Sequence, residues 1–319
     1  MVKQRIDVDL GGVAFPHPVL AASGCIGTGR DVPSLVEVHR LGGVVTTSVT
    51  LAPSRGAPTP RAAETASGLV SAIGLQNPGV EAFVAEDLPR LAKASVPIVA
   101  SIAGSTVEEY LRVASVLHRQ PGVVALEVYL AAPDEERGGE PFAARLERVI
   151  EVVGAVSRLS AVPVFAKLSA FAPDLVETAR QCVRVGAHGL TLIDGVPALA
   201  VDADRLRAKL ATPIGALSGP AIKPIALAAV YRVARALPNV PIMGVGGIST
   251  GRDAIEFLLA GAWAVQVGTA ILLDPSAPIE IAREIVAYLK DKRIASPAEL
   301  RGRVRVRGEA PDAAGGVRA

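Results

Sequence analysis

The chain has 319 residues, half of them hydrophobic but only 3% aromatic, and its formal net charge of +2 is spread along its length. That balance excludes a nucleic-acid binder as the expected class, since the one basic cluster, Arg301-Gly302-Arg303-Val304-Arg305-Val306-Arg307, has no aromatic interleaving and reads as a solvated face. Cys25 and Cys182 lie far apart without metal-ligand spacing, and the start, Met1 to Asp7, lacks a signal-peptide core. No disulfide scaffold, metal site or membrane span is therefore expected, and a cytoplasmic protein is.

In chain order, Val8–Leu10 and Val13–Phe15 flank Gly11-Gly12, the pattern of a two-residue hairpin turn. Short apolar runs then alternate with helical periodicity. The expected strands are Val19–Ser23, Gly43–Val49, Ile98–Ala103, Val124–Leu130, Val164–Leu168, Gly189–Asp194, Ile242–Gly246 and Ala264–Gly268. The expected helices span 31–41, 79–93, 106–119, 142–159, 174–186, 223–237, 251–261 and 277–291. Pro97, Pro163 and Pro241 open strands, and Gly186 and Gly261 stand where a helix ends in a left-handed glycine.

Eight such alternations predict an α/β fold, a (β/α)₈ TIM barrel with the hairpin plugging its floor. Residues 1–310 are expected to form one domain and 311–319 a disordered tail. Three connections exceed what a barrel needs, 51–78, 131–141 and 195–222. All follow strand ends, on the face where barrels keep their chemistry.

Strand seven ends in Gly244-Val245-Gly246-Gly247-Ile248 and strand eight in Gly268-Thr269-Ala270. Glycines there let backbone N–H groups approach an anion, and two of them on consecutive late strands mark a phosphate site. Ala21-Ala22-Ser23-Gly24 and Leu217-Ser218-Gly219-Pro220-Ala221 add small residues at the same rim, which either admit a flat ligand or only relieve crowding. Lys167 sits in an otherwise apolar strand, where a lysine needs a purpose. It either stabilises negative charge on a bound cofactor or substrate, or pairs with Asp194 or Glu127.

Thr59-Pro60-Arg61-Ala62-Ala63-Glu64-Thr65-Ala66-Ser67-Gly68, Ala72-Ile73-Gly74-Leu75-Gln76-Asn77-Pro78-Gly79, Ala22-Ser23-Gly24-Cys25 and Leu217-Ser218-Gly219-Pro220-Ala221-Ile222-Lys223-Pro224 together resemble the dihydroorotate dehydrogenases. The resemblance is closest to the branch whose catalytic subunit works with an FAD-carrying iron–sulfur partner, and it runs from about residue 5 to 300. It implies FMN, with phosphate at Gly246, Gly247, Gly268 and Thr269, Gly219 nearby, the ring over Ala22, Ser23 and Gly24, and Lys167 near the pyrimidine edge. It also implies a homodimer and that electron-transfer subunit.

The substrate side departs from the family. Where the family carries Asn-x-Ser-Cys-Pro-Asn, with the cysteine as base, this chain reads Tyr129-Leu130-Ala131-Ala132-Pro133-Asp134. Alanine cannot take a proton. The family lysine ending strand two is matched by Thr47, and three asparagines by Ser71, Ser101 and Asp194. A positive group is lost while amides become acids at Asp134 and Asp194, which disfavours a carboxylate substrate and favours a neutral or cationic one. The expected activity is an FMN-dependent oxidoreductase passing hydride between flavin N5 and a small cyclic substrate. Tyr129 or Asp134 would handle the proton, Lys167 would polarise the flavin, and Ser71, Tyr129, Asp134 and Asp194 would face the substrate. Two alternatives stay open: a genuine but divergent dihydroorotate dehydrogenase, and a non-catalytic flavin-binding homologue.

Overall fold

The computed structural model describes residues 5–28 and 36–305. The expected tail and residues 31–35 of the first expected helix lie outside those residues. Of that helix, the structure describes a short 3₁₀ turn at Val38–Arg40.

Eight strands run parallel and close on themselves: β1 (Val19–Ala21), β2 (Gly43–Val45), β3 (Ile98–Ile102), β4 (Val123–Tyr129), β5 (Val164–Leu168), β6 (Gly189–Leu192), β7 (Ile242–Val245) and β8 (Ala264–Val267). Each pairs with the next in sequence, β8 pairs with β1, and the expected (β/α)₈ barrel is what forms. These strands are buried almost throughout because helices cover their outer faces, which is why they read as apolar runs rather than alternating ones. The three prolines open strands because only their carbonyls are needed. Pro97 O accepts from Val44, Pro163 O from Leu126 and Pro241 O from Leu190, all at 2.9 Å.

Helix ends follow their signals. Gly186 (φ +111°) ends the helix Leu175–Arg184, with Ala187 N–H bonding back to Cys182 O at 2.9 Å. Gly261 (φ +119°) does the same for Gly251–Ala260, a helix whose start is closed by a Thr250–Asp253 capping box. Two helices differ from expectation in detail. The segment after residue 79 contains a π turn at Phe83–Asp87, and the fourth helix starts at Leu146 after a 3₁₀ turn at Phe142–Ala144.

The hairpin forms as expected, Val8–Asp9 against Ala14–Phe15, turning at Gly11 and Gly12, which both take positive φ. Its Leu10 and Phe15 pack with Leu20, Val45, Val99, Ala125, Phe165, Met243 and Ala264, the inward residues of the barrel's lower layer. Burying each of those two side chains contributes about 1.5–3 kcal/mol. The floor is therefore a dry plug, and the open end is the mouth above the strands' C-termini.

The connections 51–78 and 195–222 are not separate loops. They pair into one antiparallel sheet in the order Val196–Leu199, Ile214–Ser218, Gly68–Ser71, Ala62–Thr65. The third long connection folds back on itself, Pro133–Asp134 against Glu140–Pro141. No helix among the described residues is long and apolar enough to cross a membrane.

Candidate functional site

Side chains in a strand alternate faces, so two residues above each floor position the chain points inward again. Above Val99, Ala125, Phe165 and Ala264 come Ser101, Glu127, Lys167 and Gln266, and Thr191 faces them from β6. All are buried. A polar layer thus rests directly on an apolar one, and everything in it must find a partner inside the barrel.

Glu127 is the hub. Its Oε2 accepts from Thr191 Oγ1 at 2.8 Å and from Gln266 Nε2 at 2.9 Å. The Lys167 ammonium lies 4.0 Å from Glu127 Oε1 and 3.5 Å from Asp194 Oδ1, and 5.9 Å from the centre of the Tyr129 ring. Both pairings anticipated for Lys167 are therefore present. Burial pushes the Lys167 ammonium down, but Glu127, then Asp194 and Cys25, outweigh it, and the net direction is up. The Asp194 carboxylate beside Tyr129, then burial, raise that phenol well above its usual range. At neutral pH the cluster holds a charged lysine and a protonated tyrosine. The Tyr129 carbonyl accepts from the Tyr110 hydroxyl, which fixes the end of β4.

Ser101 is also wholly buried, its hydroxyl bonded to Ser48 Oγ at 2.8 Å and its N–H to Thr46 Oγ1 at 3.1 Å. Thr47, half-buried at the end of β2, anchors the loop after β1 through its N–H to Gly27 O at 3.1 Å. Ala132 is buried. Ser71 sits at the end of its strand in the mouth sheet, opposite Ala216, away from the Lys167 cluster's own strands. The backbone of Asp134 lies in the 133–141 fold-back, and its side chain lies outside the described residues.

The glycine-rich ends do converge. A β-carbon added to Gly247 (φ +73°) would come 2.8 Å from the Gly219 carbonyl and from Lys223 N, and one on Gly219 (φ +89°) would come 3.5 Å from Thr269 Cγ2. Thr269 Oγ1 donates to Ser218 Oγ at 2.9 Å. On the other side, a β-carbon on Gly268 would meet Cys25 Sγ at 3.4 Å and Ala22 Cβ at 3.5 Å, while Gly24 faces open space. Ala22 N–H continues the barrel ladder to Val267 O at 2.8 Å. Lys223, close by, is engaged elsewhere, at 2.6 Å from Asp253 and 2.9 Å from Glu256. The cradle is thus made of backbone, buried at Gly219 and Gly246 and half-buried at Gly247 and Gly268, with one hydroxyl pair, at the ends of β7 and β8 and of the mouth sheet. Close backbone approach at a rim of small residues is what a phosphate and an attached flat ring require, so the residues fit FMN.

Cys25 joins the two halves, next to Gly268 on one side and within the field of Lys167 on the other. Loss of solvation pushes its thiol up to about 11, with Lys167 pulling the other way. Thr191 and Gln266 were not singled out by sequence motif. Their signal was a polar residue two positions above or beside a floor residue in a strand otherwise apolar.

Comparison with known proteins gives the same family as the motifs. The sequence model for dihydroorotate dehydrogenase matches residues 5–289. The catalytic subunit of dihydroorotate dehydrogenase B (NAD(+)) from Geotalea daltonii is 42% identical over 306 residues, covering 96% of this chain and 100% of that one. The corresponding subunit from Geobacter sulfurreducens is 42% identical over the same length. That from Geobacillus kaustophilus is 42% identical over 299 residues, 94% of this chain and 95% of its own. The chain belongs to the dihydroorotate dehydrogenase family, whose members are FMN-dependent oxidoreductases acting on CH–CH bonds.

Proposed function

We propose that this chain oxidises or reduces a small cyclic substrate that is neutral or cationic, in place of the carboxylate dihydroorotate. The observation that carries it is the Lys167 cluster: the ammonium is already opposed by Glu127 and Asp194, and nothing at Thr47 or Ala132 restores a second cation or a base. At this cluster one ammonium faces two carboxylates, a balance that disfavours an anion.

In this proposal Gly219, Gly246, Gly247, Gly268 and Thr269 hold the FMN phosphate, and Ala22, Ser23, Gly24, Thr47 and Ser101 surround the ring, with Lys167 at its pyrimidine edge. Bound FMN supplies hydride chemistry at its N5. The chain's own part is the proton. A phenol with a raised pKa is a poor base at neutral pH, so Tyr129 gives its proton from Oη to a substrate atom rather than removing one. Asp194 orients the Tyr129 hydroxyl and, with Ser71 and Asp134, faces the substrate.

A homodimer and a second, electron-transfer subunit complete the proposal. The exposed apolar side chains Leu199, Val201, Leu206 and Ile214 on the 196–214 excursion support the first. The words "catalytic subunit" in the relatives' names support the second. Two unpaired thiols support a cytoplasmic location.

The identity to dihydroorotate dehydrogenases favours one other activity, turnover of dihydroorotate itself, and one experiment separates the two. The FMN-loaded chain is mixed with dihydroorotate in a stopped-flow instrument and flavin bleaching is followed. The expected result is no acceleration over buffer, with activity gained when Thr47→Lys, Ala132→Cys and Asp194→Asn are combined. Rapid bleaching of the unaltered chain would overturn the altered-substrate proposal. Bleaching by no small cyclic compound, charged or neutral, would leave the flavin-binding homologue without catalysis.

A further inference from the structure

We propose that Glu127 is the counter-ion of Lys167, a positioning residue that keeps the ammonium charged and aimed at the mouth of the barrel. Neither the family motifs nor the substitutions on the substrate side involve it.

The geometry of this carboxylate is unusual for a buried group. It is fully buried, and its two oxygens have different surroundings. Oε2 takes two neutral donors, Thr191 from β6 and Gln266 from β8, which pin the carboxylate plane. Oε1 has no hydrogen-bond partner at all and points to Lys167, 4.0 Å away on β5. Two strands thus hold one oxygen so that the other faces the ammonium on a third. An isolated buried carboxylate is costly, and among the described residues the cation paired with it is Lys167.

Asp194 is nearer to the ammonium, at 3.5 Å, yet the buried partner dominates. Coulomb energy falls as 1/(εr), so the distances favour Asp194 by little. The Asp194 side chain is 19% exposed and that of Glu127 0%, and the effective dielectric differs far more between such sites than the distances do. Asp194 also faces the Tyr129 hydroxyl, so its charge is shared. The remaining titratable groups about Lys167 are Tyr129, protonated at neutral pH, and Cys25, whose thiol is held neutral. The consequence for a bound flavin rests on the FMN placement proposed above; the counter-ion assignment does not.

The test uses the full chain with and without FMN. In the flavin-free chain labelled with ¹³C-lysine, the Lys167 signal is identified by its loss in Lys167→Met and followed against pH. Glu127→Gln, which keeps the shape and hydrogen-bonding ability, is expected to lower the Lys167 midpoint by about one unit or more. Asp194→Asn is expected to lower it less. Should Glu127→Gln yield too little folded chain, Glu127→Asp, which draws the charge back by a methylene, is expected to give an intermediate midpoint. An unmoved midpoint in the Glu127 variants, or a larger shift in Asp194→Asn, overturns the assignment. In the FMN-loaded chain, Glu127→Gln is expected to raise the flavin midpoint potential and shift its visible absorption, because an unopposed ammonium favours negatively charged reduced flavin. Adding Lys167→Met should cancel both. A shifted lysine midpoint with an unchanged flavin confirms the counter-ion and removes Lys167 from the ring's edge.

Discussion

The two halves of the barrel mouth are built from different materials. The cradle is backbone held at positive φ at Gly219, Gly246 and Gly247, with Gly268 beside Cys25 and Ala22, and Lys223, next to Gly247, is tied to Asp253 and Glu256. The opposite half, at Lys167, Glu127, Asp194 and Tyr129, is side chains whose charges fix one another. A backbone site cannot be retuned by a single exchange, because replacing a glycine there fills the space the ligand needs. A side-chain site can be, since one asparagine-to-aspartate difference changes its net charge. In the proposed function, this contrast lets the cofactor side stay fixed in backbone while single exchanges retune the substrate side.

Removing the cation should break the side-chain half most severely. Lys167→Met leaves the fully buried Glu127 carboxylate without its counter-ion, and the expected loss is about 3–5 kcal/mol in urea unfolding. A loss under about 1 kcal/mol would show that water reaches the cluster and screens it, contrary to the burial of Glu127.

The backbone half should respond to shape rather than charge. Gly247→Ala places a methyl 2.8 Å from the Gly219 carbonyl at a φ of +73°, whereas Gly12→Ala, in the floor hairpin at +99°, meets nothing within 4 Å. Both carry the left-handed penalty of about 1–2 kcal/mol, but only Gly247→Ala is expected to lose FMN on gel filtration. Equal flavin retention by the two would place the phosphate elsewhere.

The smallest effect is expected in alkali. Tyr129 and Lys167 both have pKa values raised in the folded state, so each binds its proton more tightly there than in the unfolded chain. Their stabilisation is complete below the unfolded values of about 10–10.4 and is lost as pH rises beyond them. Melting temperature should therefore change little from pH 7 to 9 on their account and fall above pH 10. Tyr129→Phe should flatten that fall, and an unchanged profile would mean that Asp194 does not act on the phenol.

Much of the architecture was present in local pattern. Eight apolar runs, three strand-opening prolines and the left-handed Gly186 and Gly261 each act within a few residues, so the strands were placed to within a few positions and the Gly11-Gly12 hairpin entirely. The positive-φ glycines at the strand ends, Gly219, Gly246 and Gly247, were legible for the same reason, since glycine's freedom belongs to the residue itself. Tertiary structure decided what depends on residues distant in sequence. The connections 51–78 and 195–222 read as separate loops because each holds only its own hairpin, Ala62–Thr65 with Gly68–Ser71 and Val196–Leu199 with Ile214–Ser218, while the joint that makes them one sheet, Leu69 against Ser218, lies far apart in sequence. The meeting of Glu127 with Thr191 and Gln266 depends on barrel closure and strand stagger, which no local periodicity encodes. Sequence determined that Lys167 would be inside the barrel and that Ala132 could not be a base. Only the fold decided which carboxylate holds the lysine, because in a low-dielectric interior the partner is chosen by burial as well as by distance.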